Sequence, residues 1–269
     1  MQKLLPFATF TLAILSITTF TYSLSIHPTT SSVSFLSVGQ GDAIVIDAGN
    51  GNQLLIDSGR DARVIEELGK VMRYGDKNIE VALATHYDFD HIGGFDEILD
   101  NYSIEHFLIS NAPFSNKASE QLLGSLEKKH VSIGIVGSQS FINLGNGVFV
   151  DILYPLSGTQ NQKGNDGSVI AKVYTHNATY MLTGDASSKI ENVLVNRYGD
   201  KLKSDVLKLG HHGSKTSSSE LFIKTVDPDI AIISAGENNQ YGHPHKEVLD
   251  RLKKLDILYI DTFRELIKL

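Results

Sequence analysis

The sequence predicts an α/β protein built from two related β/α halves. Strand-like apolar runs alternate with segments of helical spacing along most of the chain. Each half also contains a strand that ends in Asp, a helix, and a strand that ends in His. Asp57 precedes His86 by 29 residues, and Asp185 precedes His211 by 26 residues. Such a repeat indicates two facing halves whose acidic and imidazole groups converge where the strand ends meet.

The first half is predicted to begin with strands. Runs at 33–38 and 43–47 flank a Gly-Gln-Gly-Asp segment, and Asn-Gly-Asn at 50–52 is a strong hairpin turn that leads into a strand at 53–57. Apolar residues of helical spacing predict a helix over 60–74. The further elements predicted in this half are a strand at 79–85, a helix at 93–99, a strand at 106–110, a helix at 118–129, and strands near 131–136 and 147–153.

The second half repeats this plan and contains two segments of reactive residues, Thr-Gly-Asp at 183–185 and Gly-His-His-Gly-Ser at 210–214. A hairpin leads to the first segment, and a strand leads to the second. The predicted elements are strands at 169–174 and 179–182, a helix at 187–198, strands at 205–209 and 230–234, and a helix at 246–255.

The composition is that of an ordinary globular protein. The chain has 269 residues, 41% hydrophobic and 20% charged, which is enough for a full core in one domain or two fused halves. The formal net charge of -7 argues against a broad basic surface that coats nucleic acid. It does not exclude a phosphodiester substrate, because metal ions supply local positive charge. The absence of Cys excludes disulfides and thiolate metal ligands.

The N-terminal segment differs from the rest of the chain. A lysine at position 3 is followed by a stretch without charged residues at 4–25, which resembles a secretory signal peptide. The competing interpretation is an uncleaved anchor, because about 22 uncharged residues just span a bilayer. The many Thr and Ser residues favour cleavage. Both interpretations predict an exported protein (periplasmic, cell-surface or secreted), with leader and linker at 1–30 and one folded domain at 31–269.

The strongest chemical signal lies at 85–94, directly after an apolar strand. His86, Asp88, Asp90 and His91 fall within six residues and precede a Gly-Gly pair. Alternate side chains of an extended loop point the same way, so His86 and Asp88 can reach one metal ion together. After the chain turns, Asp90 and His91 face a second ion. Imidazole and carboxylate ligands suit zinc, manganese or iron.

The remaining ligands are expected from the second half. Two metal ions about 3.5–4 Å apart share a carboxylate and a bridging water. Asp185 is the best candidate for the shared carboxylate, and either His211 or His212 completes the second site. The pattern predicts a hydrolase in which two divalent ions, zinc or manganese, lower the pKa of the bridging water so that hydroxide exists near neutral pH. Asp90 is a candidate for two roles, metal ligand and catalytic proton acceptor.

The segment at 85–94 resembles the signature of the metallo-β-lactamase fold superfamily. A narrower series of motifs resembles the exported hydrolase domain of ComEC-type DNA-uptake proteins and their free-standing relatives. The series comprises Val-Gly-Gln-Gly-Asp-Ala at 38–43, Leu-Ile-Asp-Ser-Gly at 55–59, Leu-Thr-Gly-Asp-Ala at 182–186, Leu-Lys-Leu-Gly-His-His-Gly-Ser at 207–214 and Tyr-Gly-His-Pro at 241–244. The resemblance extends from about 33 to 262.

The resemblance implies a four-layer αββα sandwich and a metal-dependent hydrolase, which in the ComEC branch is a proposed nuclease acting on the DNA strand that is not taken up. It implies metal-site roles for the residues that match the motifs: His86, Asp88, Asp90, His91, Asp185 and His211 or His212. Asp88 stands where many superfamily members have His, which leaves open the metal identity and the third ligand of the first site. Asn165 or Asp166 lies where the ComEC branch has an Asn/Ser motif and is a further candidate.

Other residues have structural and functional interpretations. Asp57 either orients a metal ligand or caps the helix that follows. Asp42 is interpreted as a structural turn residue. His243, followed by Pro in an extended segment, is a candidate contact for the substrate phosphate or the leaving group. The remaining candidates for phosphate contact have amide, ammonium or hydroxyl groups: Asn165, Lys208, Ser214, Lys215, Thr216 and Ser217.

The leading functional hypothesis is an exported phosphodiesterase or nuclease with DNA as the first substrate to test. One alternative is the same fold acting on a lactone, a thioester or a cell-surface phosphoester, and another is a non-catalytic metal-binding module. A β-lactamase is less expected, because the loop has Asp88 and the chain has no Cys ligand. Contact with a membrane is expected only through an uncleaved segment at 4–25.

Overall fold

The computed structural model describes residues 30–113, 116–156, 162–263 and 265–269. The segment at 1–29, to which the leader or anchor is assigned, lies outside the described residues. Within the described part of the chain, no helix combines the length and the apolar character needed to cross a membrane.

Six strands of the first half belong to one sheet. The elements in chain order are β1 (Ser32–Phe35), β2 (Ile44–Asp47), β3 (Gln53–Ile56), α1 (Arg63–Val71), β4 (Asn78–Ala84), α2 (Phe89–Ile92), α3 (Phe95–Asn101), β5 (Ser103–Ser110), α4 (Lys117–Lys128) and β6 (Ser132–Val136). Strands β1 to β3 pair antiparallel, whereas β3 to β6 pair parallel. The parallel strands are joined by the helices, as crossover connections require.

The second half forms a second sheet with the same plan. Its elements are β7 (Phe141–Gly145), β8 (Val148–Tyr154), β9 (Ile170–Tyr174), β10 (Thr179–Leu182), α5 (Ser188–Tyr198), β11 (Val206–Lys208), α6 (Glu220–Val226), β12 (Ile230–Ile233), α7 (Lys246–Lys254) and β13 (Leu258–Asp261). Strands β7 to β10 pair antiparallel and β10 to β13 pair parallel. The last strand, β14 (Ile267–Lys268), pairs with β1, so each sheet has seven strands within the described ranges of the chain.

Apolar side chains form three clusters that define the layers. One cluster contains strand residues of both sheets, such as Phe35 and Val150, and fills the space between the sheets. A second cluster, with Phe95, lies between the first sheet and its helices, and a third, with Phe222, lies between the second sheet and its helices. Where strands are buried on both faces they contain apolar runs, as at 44–46 of β2 and 82–84 of β4. The four-layer αββα sandwich of two related halves is thus confirmed.

Five of the described elements are absent from the sequence prediction: α2, β7, α6, β13 and β14. Strands β7 and β13 are sheet edges, where Phe141 and Leu258 are exposed and the alternation of a half-buried strand is lost. Helix α6 has seven residues and follows a Ser-rich run that is typical of a loop. The helix predicted over 60–74 begins later, at Arg63, because the preceding residues pack on the metal loop, where Ser58 N donates to the His91 carbonyl at 2.7 Å.

Candidate metal centre

The site lies where parallel strands of both sheets end. In the first sheet Ile56 of β3 is in register with Leu83 of β4, and in the second Leu182 of β10 is in register with Lys208 of β11. Each pair of strands therefore brings an acidic and an imidazole side chain to neighbouring strand ends. The two halves meet directly there, since Val169 N donates to the Thr85 carbonyl at 2.8 Å.

Asp185 lies at the centre of the site, and its carboxylate faces four imidazoles. Its Oδ1 is 3.3 Å from His91 Nε2, and its Oδ2 is 3.3 Å from His212 Nε2. The same Oδ2 lies 3.7 Å from His211 Nε2 and 4.0 Å from His86 Nε2. The carboxylate proposed as the shared ligand is thus the one that histidines of both halves surround.

Asp88 and Asp90 lie on either side of the turn that begins α2. Asp88 Oδ2 is 3.7 Å from His86 Nε2, and Asp90 Oδ2 is 3.4 Å from His212 Nε2. The structure therefore pairs one first-half histidine with Asp88 and one second-half histidine with Asp90. Both pairs adjoin Asp185, which is the arrangement expected of two adjacent ion sites.

Asp57 fixes two imidazoles of the metal loop. Its carboxylate accepts hydrogen bonds from Thr85 N, Thr85 Oγ1 and His91 Nδ1, each at 2.7 Å. Because the Thr85 hydroxyl donates to Asp57, it accepts from His86 Nδ1, which lies 3.1 Å away. In their neutral form both histidines thus carry their proton on Nδ1 and direct the Nε2 lone pair to the centre, the arrangement of metal-ligating histidines. Asp57 therefore orients these imidazoles and does not cap the helix that follows. Its carboxylate oxygens accept the hydrogen bonds just described, and α1 begins six residues later at Arg63.

His212 is fixed in the same way, because its Nδ1 donates to the Ser234 carbonyl at 2.8 Å. The Nε2 atoms of His86, His91 and His212 and the Oδ1 of Asp185 are buried and have no hydrogen-bond partner among the described residues. Buried polar atoms are normally paired. Three imidazole nitrogens and a carboxylate oxygen that converge unpaired fit a divalent metal ion.

A strained turn brings two consecutive histidines to one carboxylate. In extended backbone adjacent side chains point to opposite faces. His211 and His212 instead have φ values of 50° and 57° and precede Gly213 at 82°. Left-handed backbone is costly for residues other than Gly and is often found at functional sites. His212 is buried and His211 is half-buried, so both remain candidate ligands.

Asp42 is a member of the cluster, and its interpretation as a structural turn residue is wrong. It is buried, and it can place a ligand atom within 4.8 Å of those of His91, Asp185 and His212. The signal in the sequence was the glycine before it. Gly41 has φ 125°, and a Cβ there would overlap the Asp90 carbonyl oxygen. Position 41 is thus occupied by glycine because the turn approaches the metal loop closely there.

We predict that Gly41→Ala destabilises the protein by more than about 2 kcal/mol, because the methyl group meets backbone that cannot yield and the φ angle is unfavourable. Gly124→Ala is the matched control. Among the described residues no heavy atom lies within 4 Å of a Cβ at this position of α4, apart from the helix itself, so the change should be neutral or stabilise by up to about 1 kcal/mol. Urea unfolding of the metal-free variants measures both. If Gly41→Ala and Gly124→Ala are equally stable, the close contact between position 41 and the Asp90 carbonyl is contradicted.

The predicted substrate-contact residues Asn165, His243 and Ser214 lie near the outer histidine of the cluster. Asn165 Nδ2 is 3.2 Å from His211 Nδ1, and the ring of His243 is 5.3 Å from that of His211. Thr216 Oγ1 is 3.2 Å from His211 Nδ1 and 3.0 Å from the Ser214 hydroxyl. These side chains form a polar rim beside the buried ligands.

The structure contradicts a phosphate contact for Lys208 and Ser217. Lys208 is fully buried and forms an ion pair with Asp42. Ser217 is buried, and its hydroxyl donates to a backbone carbonyl at 2.8 Å. Asp166, the alternative to Asn165, accepts a hydrogen bond from the serine that precedes α5. Lys215 is exposed and stays a candidate.

Opposing charges shift the pKa values in the cluster. Burial disfavours a charged imidazole, but Asp185 and the other neighbouring carboxylates together outweigh burial and raise the pKa of His91 and His212 well above the ordinary value. Burial also opposes ionisation of Asp185, yet these two histidines hold its pKa well below the usual range. At the rim burial is the dominant effect. It lowers the pKa of His211, and it lowers the pKa of His243 to about 4. Metal ions must therefore displace protons from the inner histidines.

We predict opposite pH dependences for the stabilities of the metal-free and metal-loaded protein. The folded-state pKa values of His91 and His212 lie above the ordinary value of 6.5, so their protons stabilise the metal-free fold below about pH 6.5. That stability is lost as the pH rises through the raised values. Metal binding competes with the same protons and strengthens with pH. Melting temperatures at about pH 6 and about pH 8.5, with EDTA or Mn²⁺, measure both trends. A metal-free melting temperature that rises over this interval would contradict the pKa shifts.

The four-layer fold and the buried His/Asp cluster, which could hold a metal ion, together indicate the class of protein. The family model described as the metallo-beta-lactamase superfamily matches residues 36–237. The chain belongs to this superfamily, which confirms the resemblance seen in the sequence.

Within the superfamily the chain is a relative of ComEC-type competence proteins. It is 31% identical over 270 residues to ComE operon protein 3 of Bacillus subtilis, covering 90% of this chain and 33% of that protein. It is 40% identical over 117 residues to competence protein ComA of Neisseria gonorrhoeae, covering 44% of this chain and 17% of that protein. The chain thus spans a third or less of the length of these two relatives.

Solved structures support the fold. A metallo hydrolase from the archaeon Ignicoccus hospitalis has a TM-score of 0.55 at 14% identity, with 88% of this chain and 98% of that chain covered. Zn²⁺-bound PqqB from Methylobacterium extorquens has a TM-score of 0.54 at 9% identity, with 88% and 99% covered. At these identities the likeness concerns the fold alone.

Proposed function

We propose that this protein is an exported phosphodiesterase that hydrolyses nucleic acid at a centre of two divalent ions. The observation that carries the hydrolytic part is the convergence of three unpaired, buried Nε2 atoms on Asp185. The kinship with ComE operon protein 3 and competence protein ComA supports nucleic acid as the substrate class, since the motifs of this chain resemble those of ComEC-type DNA-uptake proteins.

The charge of the site supports two ions rather than one. Five carboxylates and one ammonium group lie in or directly behind the cluster: Asp42, Asp57, Asp88, Asp90, Asp185 and Lys208. With neutral imidazoles these five negative charges and one positive charge sum to about -4, which two divalent cations balance. One divalent cation would leave about half of that charge unbalanced. Zinc and manganese both accept this set of nitrogen and oxygen ligands.

We assign roles to the residues as follows. His86 and Asp88 would hold one ion, and Asp90, His91 and His212 the other. Asp185 adjoins both groups and would be shared between them. When bound, divalent ions supply activation of water and neutralisation of the attacked ester.

Asp90 is the candidate proton acceptor. Its carboxylate is partly exposed at the mouth of the site, whereas Asp185 is buried. Burial opposes the ionisation of Asp90, but His212 and His91 together outweigh burial and hold the pKa of Asp90 below the usual range. Asp90 is therefore ionised at neutral pH. The ionised form of a carboxylate is the one that accepts a proton from an attacking water.

The rim supports an ester with a hydrogen-bonding, anionic group. Asn165, His211 and His243 present amide and imidazole groups beside Asp185, and exposed Lys215 follows the histidine turn. The lowered pKa keeps His243 neutral at neutral pH, so its ring can donate one hydrogen bond without adding charge. These groups are suited to orient a phosphodiester whose charge the ions balance.

A substrate panel tests the proposal. The purified protein, loaded with Mn²⁺ or with Zn²⁺, is assayed on bis-p-nitrophenyl phosphate, single-stranded DNA, a lactone and nitrocefin. We expect turnover of the first two that Asp90→Ala abolishes and that Asp61→Asn, a change at an exposed carboxylate, leaves intact. If only the lactone is turned over, the substrate is an ester of another class and not a phosphodiester. Metal binding without turnover of any of the four would instead favour the binding module.

Export is a separate part of the proposal and rests on the uncharged segment at 4–25. Expression of the full chain followed by cell fractionation tests it. We expect the protein outside the cytoplasm, with a shortened N-terminus if the leader is cleaved. Recovery of the full-length chain in the cytoplasm would reject export.

A further inference from the structure

A buried lysine lies among the acidic and imidazole side chains of the metal centre. The Nζ of Lys208, the last residue of β11, forms a close ion pair with Asp42 and donates to the Gly184 carbonyl at 3.1 Å. It also lies 3.9 Å from Asp185 Oδ1. The side chain is 0% exposed, so it does not contact a substrate at the surface. A buried ammonium group is tolerated only where it is paired, and here it is paired to the site itself.

Asp42 faces the side of the imidazoles that does not point to the centre. Its Oδ1 is 3.5 Å from His212 Nδ1, and its Oδ2 is 3.9 Å from His91 Nδ1. Both Nδ1 atoms have other partners, the Ser234 carbonyl and the Asp57 carboxylate. The corresponding Nε2 atoms lie 3.3 Å from Asp185 instead. Asp42 is thus close enough to join an ion site but lies behind the ligand rings.

We propose that Lys208 is a positioning residue that holds Asp42 back from the metal ions and thereby limits the affinity of the centre. The ammonium neutralises a carboxylate that would otherwise be an additional ligand. It also lies beside an oxygen of Asp185, where its charge opposes that of any cation bound there. The inference rests on the metal centre of the proposed function and does not depend on the phosphodiester substrate.

The two members of the pair should have opposite effects on metal affinity. Lys208→Met keeps the length of the side chain and removes the charge, so that Asp42 becomes a buried carboxylate that a cation can neutralise. We expect Mn²⁺ to bind this variant at least about tenfold more tightly than wild type. Asp42→Asn leaves the ammonium uncompensated beside Asp185 and should weaken Mn²⁺ binding at least about tenfold. The double variant, a neutral pair, should bind more tightly than Asp42→Asn and less tightly than Lys208→Met.

A pair that only supports the fold would behave differently. Each single change would then disturb the same packing, and both would shift the Mn²⁺ affinity in the same direction. Lys172→Met is the matched control. Lys172 is also buried, but its Nζ donates to the Lys201 and Lys203 carbonyls away from the cluster. This change should lower the melting temperature without altering the affinity for Mn²⁺.

The experiment is calorimetric titration of Mn²⁺ into the EDTA-stripped protein, with melting temperatures recorded before and after loading. The expected result is tighter binding and a larger metal-induced rise in melting temperature for Lys208→Met than for wild type. Equal or weaker binding by a folded Lys208→Met would overturn the proposal. If this variant does not fold, the comparison of Asp42→Asn with the double variant decides, and equal affinities there would overturn it. Failure of every substrate in the panel would leave these affinities unchanged, so the two proposals are tested separately.

Discussion

Replacing Asp185 by Asn should reduce hydrolysis by at least about a thousandfold, because metal centres of this kind contribute several kcal/mol to the attack on an ester. The carboxylate faces the Nε2 atoms of four histidines at 3.3 to 4.0 Å. The amide keeps the shape of the side chain but removes the charge that two ions would share. The same change should lower the metal content of the purified protein below one ion per chain. Turnover measurements and elemental analysis by mass spectrometry check these two effects.

The control for Asp185→Asn is Asp166→Asn. Asp166 lies on the same half of the protein, but its carboxylate faces the Ser187 hydroxyl and Lys189 rather than the cluster. Its replacement should leave both turnover and metal content near the wild-type values. An Asp185→Asn protein that keeps two ions and full turnover would show that this carboxylate is not a ligand.

The second large effect is expected at Asp57. Asp57→Ala should destabilise the protein by about 3 kcal/mol or more, because the Thr85 amide, the Thr85 hydroxyl and His91 Nδ1 all lose their acceptor in the interior. It should also weaken metal binding about 10–100-fold, since His91 loses the group that fixes its tautomer. Urea unfolding of the metal-free protein and Mn²⁺ titration measure the two effects.

Asp57→Asn separates backbone strain from the loss of charge. Asp57 has φ 59°, a conformation that Asn adopts more readily than Ala. We therefore expect Asn to retain more of the stability than Ala while still weakening metal binding. Asp61→Asn, at an exposed position of the same loop, should change neither quantity. If Asp57→Ala binds Mn²⁺ like wild type, Asp57 does not orient a ligand.

The first-half metal loop could be predicted from sequence because its ligands are close together in the chain. His86, Asp88, Asp90 and His91 directly follow a buried strand, and the strand end alone places them at one edge of the sheet. The gathering of Asp185 beside them was expected from the repeat of the two halves. The order of strands and helices followed from the same periodicities, except at the edge strands and at the two short helices α2 and α6.

The roles of Asp42 and Lys208 were predicted wrongly because they depend on contacts that only the fold creates. Asp42 follows a turn that any Gly-Gln-Gly segment can form, and nothing local shows that the turn packs on Asp90. Lys208 occupies the end of a strand where an ammonium usually reaches solvent. Its burial follows from the parallel neighbours β10 and β12, which enclose β11 in the middle of the sheet. Sequence periodicity therefore predicted where the strand ends but not that the Lys208 ammonium is buried behind the site.

The measurement that tests the central claim most directly is anomalous diffraction from crystals loaded with Mn²⁺ or Zn²⁺, collected on both sides of the metal absorption edge. The account predicts ion density at Asp185 within coordination distance of the Nε2 atoms of His86, His91 and His212. Ions bound elsewhere, with those three nitrogens still directed at a cluster that holds no metal, would contradict it.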